Sequence, residues 1–425
     1  MRKSILLRIL LAFVLAWGCV LAQPLTVSAD VRDDDLIGSN PYGSDPSRVP
    51  DAPDIKAEYA ALCTKDGLVL WERNANDLAY MASITKIMTA LVALEESTLD
   101  TPMFITYGAA NTEGSSAGFV TGDTVLLRDL IIGMLLPSGN DAAVAIAENI
   151  AGTEFRFVEK MNAKAVELGM KGTLFSNASG LYDENNYTTA KDLLLLTRAA
   201  MANDQFREFV ALKEVTLDIS GREENYESTN LLLTQMQGAN GVKTGFTDDA
   251  GYCLVASAKR NNFEFYAVVL YSTDEDQRFR DAQTLLEWGF AHYRVVELIN
   301  AAKPVANLAC TSWIDKTVPV VVSAPVSAIL FDYDGPIAQE VKLIEKEGPI
   351  TQGEVVGSIT WTQRNEVIAR VDLLAVETVS EPTFWEGIKI WWDRFIGGFS
   401  GKPRHASSTT ILPPVFDLEI PNVNN

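Results

Sequence analysis

The sequence predicts a mixed α/β (α+β) domain, with an antiparallel sheet and a cluster of helices, followed by a small all-β domain. Three observations lead to this prediction. Strand-like runs lie at both ends of residues 56–296, helical patterns fill the middle of that range, and residues 297–378 hold strand-like runs without helical periodicity. Strands at both ends of a domain imply one sheet that is built from distant segments and covered by the helices between them. With 425 residues, 47% of them hydrophobic, the chain can fill two such cores.

The N-terminal segment, residues 1–29, has the pattern of a signal peptide. Two basic residues precede an apolar run from Ile5 to Ala22, and small residues precede an acidic stretch, so we expect cleavage after Ala29. An uncleaved signal anchor is the alternative, because the apolar run approaches the length that spans a bilayer. Residues 30–55 are rich in Asp, Pro, Ser and Gly without apolar periodicity, and we expect them to form a flexible leader.

The larger domain, residues 56–296, is predicted to begin with a β-hairpin, at 59–62 and 68–71, around an Asp-Gly turn. A second hairpin, at 252–258 and 263–271, is predicted near its end. Apolar residues recur at helical spacing between the hairpins and after the second one. The predicted helices are 83–96, 127–136, 141–150, 154–168, 190–202 and 277–293.

Composition excludes several classes of function. The formal net charge is −21, from 56 acidic and 35 basic residues, which argues against nucleic acid as a partner. The chain has two histidines, His292 and His405, so a Ser-His-Asp triad or a histidine-ligated zinc site has almost no material. Beyond the N-terminal segment, Cys63, Cys253 and Cys310 are an odd number in a long chain, and we interpret them as small buried hydrophobic residues. A hydrolase of this composition needs a base other than histidine.

Ser83 and Lys86 stand three residues apart at the start of the predicted helix 83–96. This spacing places both side chains on one helical face. A lysine whose pKa is lowered by burial and by neighbouring cations can accept the hydroxyl proton, the part usually taken by histidine. The helix N-terminus also favours negative charge that develops nearby. Because a Ser-x-x-Lys pattern alone arises often by chance, the hypothesis depends on its companions.

Two further motifs carry polar groups suited to a peptide substrate. Ser138 and Asn140, separated by a glycine, lie in a loop between two predicted helices and offer a hydroxyl and an amide. Lys243, Thr244 and Gly245 open the second strand-rich region, on what we expect to be an edge strand. The glycine there lets a peptide backbone approach closely.

The three motifs follow one another at separations of 55 and 105 residues, and in this order they resemble the penicillin-binding protein and serine β-lactamase superfamily. More narrowly, their surroundings at 82–90, 136–142 and 241–247 are similar to the low-molecular-weight D-Ala-D-Ala carboxypeptidases. The resemblance covers about residues 56–378. It implies a penicillin-binding-type fold, a β-rich second domain and a C-terminal amphipathic anchor.

The resemblance also implies the reaction. Ser83 would be the acyl-enzyme nucleophile, Lys86 the base for acylation, and Ser138 a proton relay. The substrate would be the peptidoglycan stem pentapeptide, which loses its terminal D-alanine when water hydrolyses the ester. β-Lactams would be covalent inhibitors. No metal and no organic cofactor is implied.

The resemblance assigns the substrate to a second set of residues. These are Asn140, Lys243, Thr244, Gly245, Phe246 and Thr247. Asn140 would hold the peptide amide, while Lys243, Thr244 and Thr247 would receive the terminal carboxylate. The backbone N–H groups of Phe246 and of the nucleophile would form the oxyanion hole. The apolar side chain of Phe246 beside that hole departs from the commoner family pattern.

Alternatives stay open at the level of the sequence. A class A β-lactamase needs a Glu-x-x-Leu-Asn stretch before the Lys-Thr-Gly strand, and the sequence has none. A non-catalytic penicillin-binding wall scaffold would keep the fold without turnover, although every catalytic position is intact. A D,D-endopeptidase or a transpeptidase would use the same acyl-enzyme, because the sequence does not set the acceptor. Ser179 stands where relatives often carry histidine, and we expect it to be structural.

The C-terminal β-rich domain, residues 297–378, is predicted from four strand-like runs separated by Gly, Pro and Asp turns. The predicted strands are 317–322, 326–331, 355–361 and 367–376. No histidine and no charged constellation marks this domain as catalytic, so we interpret it as a spacer or interaction module.

Residues 379–400 are predicted to contain an amphipathic helix. A capping-box pattern begins at Thr383, and aromatic and aliphatic residues follow at helical spacing from Phe384 to Phe399. The segment is too short and too charged to span a bilayer, so we expect a helix that lies on the membrane; a terminal helix docked on the protein is the alternative. Residues 401–425 are expected to be a disordered tail. The sequence therefore predicts an exported, extracytoplasmic protein associated with the outer face of the cell membrane.

Overall fold

The computed structural model describes residues 35–37, 52–301, 303–332, 334–363, 366–412 and 415–416. The predicted signal peptide lies outside the described residues, as does most of the predicted leader. Within the leader, Asp35–Ile37 pairs with Trp71–Arg73 as an edge strand, which differs from the expected flexible chain. This pairing could not be predicted, because three residues are too few to show periodicity.

The larger domain combines strands and helices along its whole length. Its strands are β1 (Asp35–Ile37), β2 (Tyr59–Thr64), β3 (Val69–Arg73), β4 (Ala79–Tyr80), β5 (Pro102–Phe104), β6 (Thr124–Leu126), β7 (Tyr187–Thr188), β8 (Glu214–Ile219), β9 (Arg222–Glu227), β10 (Ala239–Thr247), β11 (Gly251–Arg260) and β12 (Phe263–Ser272). Its helices are α1 (Lys86–Glu96), α2 (Tyr107–Ala110), α3 (Leu127–Leu135), α4 (Asn140–Ala151), α5 (Glu154–Leu168), α6 (Ala190–Met201), α7 (Asp204–Val210), α8 (Leu232–Gln235) and α9 (Glu275–His292).

One antiparallel sheet joins the two ends of this domain, as predicted. Its strand order is β1-β3-β2-β12-β11-β10, so β2 from the start of the domain pairs with β12 from its end. Successive side chains of a strand point to opposite faces. Ala61 and Val268 accordingly face the larger core with α1 and α3 to α7, whereas Leu62 and Val269 face a second core with α9. The sheet is therefore covered on both faces, and β10 is left at its edge.

The predicted elements are confirmed within a few residues at their ends, with three differences. The second hairpin turns at Asn261 and Asn262, since β11 continues to Arg260. The first turn of the predicted helix 83–96 is a 3-10 turn, Ala82–Thr85. The hairpin β8–β9 was not predicted, although Val215, Leu217 and Ile219 alternate with polar residues in β8 and Ser220-Gly221 forms the turn; only β9, which is mostly polar, lacks this alternation.

The C-terminal domain is built from antiparallel strands, as predicted. These are β13 (Tyr293–Ile299), β14 (Ala306–Ala309), β15 (Thr317–Val322), β16 (Val326–Phe331), β17 (Ile337–Leu343), β18 (Val355–Gln363), β19 (Glu366–Ala375), β20 (Thr409–Thr410) and β21 (Val415–Phe416). β13 pairs with β16, and the other strands form a sheet in the order β20-β14-β15-β19-β18-β17-β21.

The outermost strands of this sheet come from the predicted disordered tail, which is a correction for these residues. Thr409 and Thr410 pair with β14, while Val415 and Phe416 pair with β17. Two short segments of the tail thus satisfy backbone groups at both edges of the sheet. Helix α10 (Phe384–Phe399) precedes them, and its Thr383 capping box is formed, which confirms the predicted helix.

Candidate active site

Ser83 lies in the 3-10 turn that leads into α1. Ala82, immediately before it, has φ +47°, a conformation that side-chain-bearing residues rarely adopt and that the surrounding structure must hold. Gly180 packs directly against this turn, since a Cβ there would lie 2.0 Å from the Ala82 carbonyl oxygen. In a 3-10 turn, residues three apart eclipse each other, so Ser83 and Lys86 stand one above the other.

The Lys86 ammonium position lies within hydrogen-bond distance of three oxygens. Lys86 Nζ is 2.9 Å from Ser83 Oγ, 2.7 Å from Asn140 Oδ1 and 2.6 Å from the Ser179 carbonyl oxygen. The last two oxygens can only accept hydrogen bonds. A neutral amine that donates to both of them has its lone pair left for the Ser83 hydroxyl, which is the arrangement a general base requires.

Both buried lysines of the site have lowered pKa values. The pKa of Lys86 falls well below its usual range because of complete burial and, next, the positive charge of Lys243, while Asp141 acts in the opposite direction. Burial, together with the charge of Arg278, lowers the pKa of Lys243 to about 7. Water is the better solvent for an ammonium, so burial favours the neutral form. The site therefore holds two amines whose neutral forms are favoured by burial.

Ser138 and Lys243 form a second contact of the site. Lys243 Nζ donates to Ser138 Oγ at 3.0 Å and to the Thr244 carbonyl oxygen at 3.0 Å. Ser138 has φ +67°, an uncommon backbone conformation of the kind found at functional sites. The Ser-Gly-Asn turn thus directs Ser138 to Lys243 and Asn140 to Lys86.

The edge strand β10 carries the remaining predicted residues. Gly245 packs on the turn that contains Ser83: a Cβ at this position would lie 2.9 Å from the Met81 carbonyl oxygen, closer than Cβ atoms ordinarily approach, and 3.2 Å from the Ser83 nitrogen. Phe246 is 48% exposed, and its ring centroid lies 4.4 Å from that of Tyr252. Thr247 accepts a hydrogen bond from the Ala250 N–H at 3.1 Å. An unpaired strand edge beside the nucleophile suits a peptide that adds to the sheet.

Sequence reasoning missed three contributors to the site. The carbonyl of Ser179, expected to be structural, is an acceptor for Lys86, and no side-chain motif can reveal a backbone acceptor. Thr229 lies 2.6 Å from Thr244, oxygen to oxygen, although it belongs to no motif. Arg278 of α9 is buried and donates to the Gly245 carbonyl oxygen at 3.2 Å. It gave no signal because an arginine on a helix is ordinary.

Metal-binding side chains are not clustered in the part of the chain that the structure describes: no group of three or more His, Cys, Asp and Glu residues could hold an ion there. Cys63, Cys253 and Cys310 are free and buried, which confirms their interpretation as hydrophobic residues. His292 is buried, with Nδ1 3.3 Å from an oxygen of Asp332. It lies with the second core, beside Trp288.

Known proteins of one family are similar to this chain. Residues 47–274 match the family model of the D-alanyl-D-alanine carboxypeptidases, peptidase family S11. The D-alanyl-D-alanine carboxypeptidase DacF of Bacillus subtilis is 31% identical over 339 residues, which cover 77% of this chain and 87% of that protein. The D-alanyl-D-alanine carboxypeptidase of Streptomyces sp. K15 is 34% identical over 276 residues, or 60% of this chain and 94% of that protein.

Solved structures give the same result. The D-alanyl-D-alanine carboxypeptidase DacD of Francisella tularensis has a TM-score of 0.59 at 28% identity, over 78% of this chain and 96% of that one. The Streptomyces K15 DD-transpeptidase has a TM-score of 0.53 at 36% identity, over 56% of this chain and 98% of that one. The chain therefore belongs to the D-alanyl-D-alanine carboxypeptidase family and is a serine-type peptidase with D-Ala-D-Ala carboxypeptidase activity.

Proposed function

We propose that Ser83 is the nucleophile of this carboxypeptidase and that neutral Lys86 takes its proton. The observation that carries the proposal is the contact of Lys86 Nζ with Ser83 Oγ at 2.9 Å, together with the two carbonyl oxygens that occupy the amine's N–H groups. The serine oxygen attacks the carbonyl carbon of the penultimate D-alanine, and the amide bond to the terminal D-alanine breaks. The leaving amine takes up a proton, and water then hydrolyses the ester.

The proton for the leaving group has a route through the second contact. Ser138 Oγ lies 3.0 Å from Lys243 Nζ, and the pKa of Lys243 is about 7, so this pair can deliver and recover a proton near neutral pH. Lys86 is protonated after it activates Ser83, and it is the group that must give up this proton. Ser138 is therefore assigned as the relay between the two amines.

Substrate orientation falls to Asn140 and β10. The Asn140 amide donates one N–H to the Glu113 carbonyl oxygen at 2.7 Å, and its second N–H is assigned to the carbonyl of the peptide. Lys243, Thr244 and Thr247 are assigned to the terminal carboxylate. The positive charge of buried Arg278, beside β10, adds to the attraction for that anion. The N–H groups of Ser83 and Phe246 are assigned to the oxyanion.

Penicillin enters the same mechanism as a substrate that leaves slowly. Ser83 would attack the amide of the β-lactam ring, and the ester that forms would be stable. The test uses a pentapeptide that ends in D-Ala-D-Ala, with free D-alanine as the measured product and a parallel sample first labelled with fluorescent penicillin. Release that penicillin blocks supports the proposal. Labelling without release would contradict the carboxypeptidase reaction and favour a wall scaffold, an endopeptidase or a transpeptidase. Absence of labelling would contradict Ser83 as the nucleophile.

We further propose that the protein is exported and that α10 lies on the outer face of the cell membrane. Aromatic side chains of α10 are widely exposed, with Trp385 at 77% and Phe399 at 81%, whereas Ile390 is only 9% exposed. Arg394 fastens the helix by donating to the Thr311 carbonyl oxygen at 2.7 Å. Within the described ranges, no helix has the length and apolarity needed to cross a bilayer. Exposed aromatic residues on a short amphipathic helix suit the interface instead.

Vesicle flotation tests the membrane proposal. The full chain is mixed with phospholipid vesicles and centrifuged through a density gradient, and the protein that floats with the lipid is measured. Co-flotation is expected. A protein that stays at the bottom at every lipid concentration would contradict the proposal and favour a helix that only docks on its own β-domain.

A further inference from the structure

A buried carboxylate beside the Ser-Gly-Asn turn has no part in the steps above. Asp141 follows Asn140 in the first turn of α4 and is completely buried. Its oxygens accept a hydrogen bond from the Ser116 hydroxyl at 2.6 Å and from the backbone N–H groups of residues 117–119 at 2.9 to 3.2 Å. Hydrogen bonds to an ionised acceptor are stronger than neutral ones. One carboxylate thus gathers a loop of successive backbone donors.

The same loop supports Asn140 from its other end. The Glu113 carbonyl oxygen accepts from the Asn140 side chain, and the Ser115 carbonyl oxygen accepts from the Asn140 backbone N–H, both at 2.7 Å. The packing is close, since a Cβ at Gly114 would lie 2.7 Å from the Asn140 side-chain nitrogen. Asn140 Oδ1 in turn accepts from Lys86. A displacement of the loop therefore reaches the base through one amide.

We propose that Asp141 is a positioning residue for the reaction: its carboxylate ties the loop 113–119 to the Ser-Gly-Asn turn and so fixes the Asn140 amide that orients Lys86 towards Ser83. The inference rests on the roles proposed above for Ser83 and Lys86. An asparagine at 141 cannot replace the carboxylate, because it offers one acceptor oxygen and a donor NH₂ where the loop presents only donors.

The negative charge of Asp141 supplies a readout that a purely structural residue would not have. Two charged groups shift the Lys86 pKa: Lys243 of β10 lowers it and Asp141 of α4 raises it, while burial has the largest effect. An anion favours the charged amine, so its removal lowers the pKa of Lys86 further. Lys86 then stays neutral at lower pH. The acidic limb of the rate profile is expected to move to lower pH even as the rate falls.

The test compares the Asp141→Asn variant with the wild type in the full chain. Penicillin acylation and D-alanine release are measured from acidic to alkaline pH. A loss of about tenfold or more in both rates is expected, the low end of what a misplaced general base costs. The acidic limb is expected to lie at lower pH than in the wild type. Thermal unfolding is recorded in parallel, to restrict the comparison to folded protein.

Asp123→Asn is the matched control. Asp123 holds the far end of the same loop, through the Val120 N–H and Arg222, and does not shift the Lys86 pKa. A smaller loss with an unmoved acidic limb is expected. Wild-type rates and an unmoved limb in folded Asp141→Asn would overturn the proposal.

Ser116→Ala covers the case in which Asp141→Asn does not fold. Ser116 is exposed and donates one of the loop's hydrogen bonds to Asp141, so the variant is expected to fold and to lose rate several-fold, with the limb unmoved. Wild-type rates in this variant, together with an unfolded Asp141→Asn, would overturn the proposal. Turnover that survives in Ser83→Ala would instead contradict the proposed mechanism itself, which separates the two failures.

Discussion

The larger domain buries two lysine side chains, whereas the C-terminal helix α10 exposes apolar side chains. Lys86 and Lys243 are 0% and 1% exposed, although lysine is almost never fully buried without a partner. Trp385 and Phe399 of α10 are 77% and 81% exposed, although aromatic side chains ordinarily fill cores. Both arrangements cost folding free energy, and each lies where we propose a function. In this protein, buried lysines and exposed aromatic side chains therefore mark the places where we propose a function.

The two regions differ in how this cost in folding free energy is offset. Lys86 finds an oxygen for each of its N–H groups, so the amine is buried without an unpaired donor. The aromatic residues of α10 cover one another only in part, as the Trp391 and Phe395 ring centroids lie 5.8 Å apart. Hydrogen bonds within the domain satisfy the buried amine, whereas the aromatic side chains of α10 stay exposed on the structure, where we propose that the membrane covers them.

The largest expected effect is that of Ser83→Ala. Without the hydroxyl no acyl-enzyme forms, so D-alanine release is expected to fall at least about 10⁴-fold, as for other serine nucleophiles. The thermal midpoint is expected to stay near the wild-type value, because the change removes one half-buried oxygen. Product release and calorimetry check the two halves. A variant that still released D-alanine would contradict the role of Ser83 as the nucleophile.

Lys86→Met removes the buried amine and keeps much of the side-chain volume. Penicillin acylation is expected to fall about 10²- to 10⁴-fold, the range of a lost general base. Stopped-flow labelling measures this rate. Lys171→Met, on the exposed surface, is the control and is expected to acylate at the wild-type rate. Equal rates for the two variants would show that burial of Lys86 has no catalytic purpose.

Replacing Trp391 and Trp392 with alanine tests the exposed region. Each loses apolar surface that the membrane would cover, so vesicle affinity is expected to fall about tenfold per side chain, from about 1.5 kcal/mol of burial each. Turnover of a soluble pentapeptide is expected to stay unchanged. Flotation and D-alanine release measure the two properties, with Lys389→Ala as the control on the polar face. Unchanged flotation of the double variant would contradict the proposal that α10 lies on the membrane.

The last expected effect is a pH-dependent difference in stability, which concerns the folded state and not the rate or the membrane affinity. The pKa of Lys243 is about 7 in the fold and about 10.4 in an unfolded chain, so between these values the unfolded chain holds a proton that the fold releases. The free energy of unfolding of the wild type should then rise with pH from about 7 to about 10, relative to Lys243→Met. Urea unfolding at pH 7, 8.5 and 10 measures it. A difference that stayed constant with pH would contradict the lowered pKa.

The fold class, the family and most elements were predictable because they depend on local patterns. The helix 154–168 and the strands 317–322 and 326–331 have the predicted bounds, since apolar periodicity is strong in each. The hairpin β8–β9 was missed because β9 is mostly polar, although β8 alternates polar and apolar residues. The pairing of Thr409 and Thr410 was not predictable, because two residues are too few to show a pattern.

The three motifs put Ser83, Lys86 and Lys243 at recognisable spacings, so the sequence was enough to select these candidates, but it did not indicate Thr229 or Arg278. The hydrogen-bond partners that hold Lys86, in contrast, are seen only in the tertiary structure. The Ser179 carbonyl oxygen and the Asn140 amide reach Lys86 from segments 93 and 54 residues away. A backbone carbonyl is present at every residue, so no sequence pattern singles out the one that folding brings to the base.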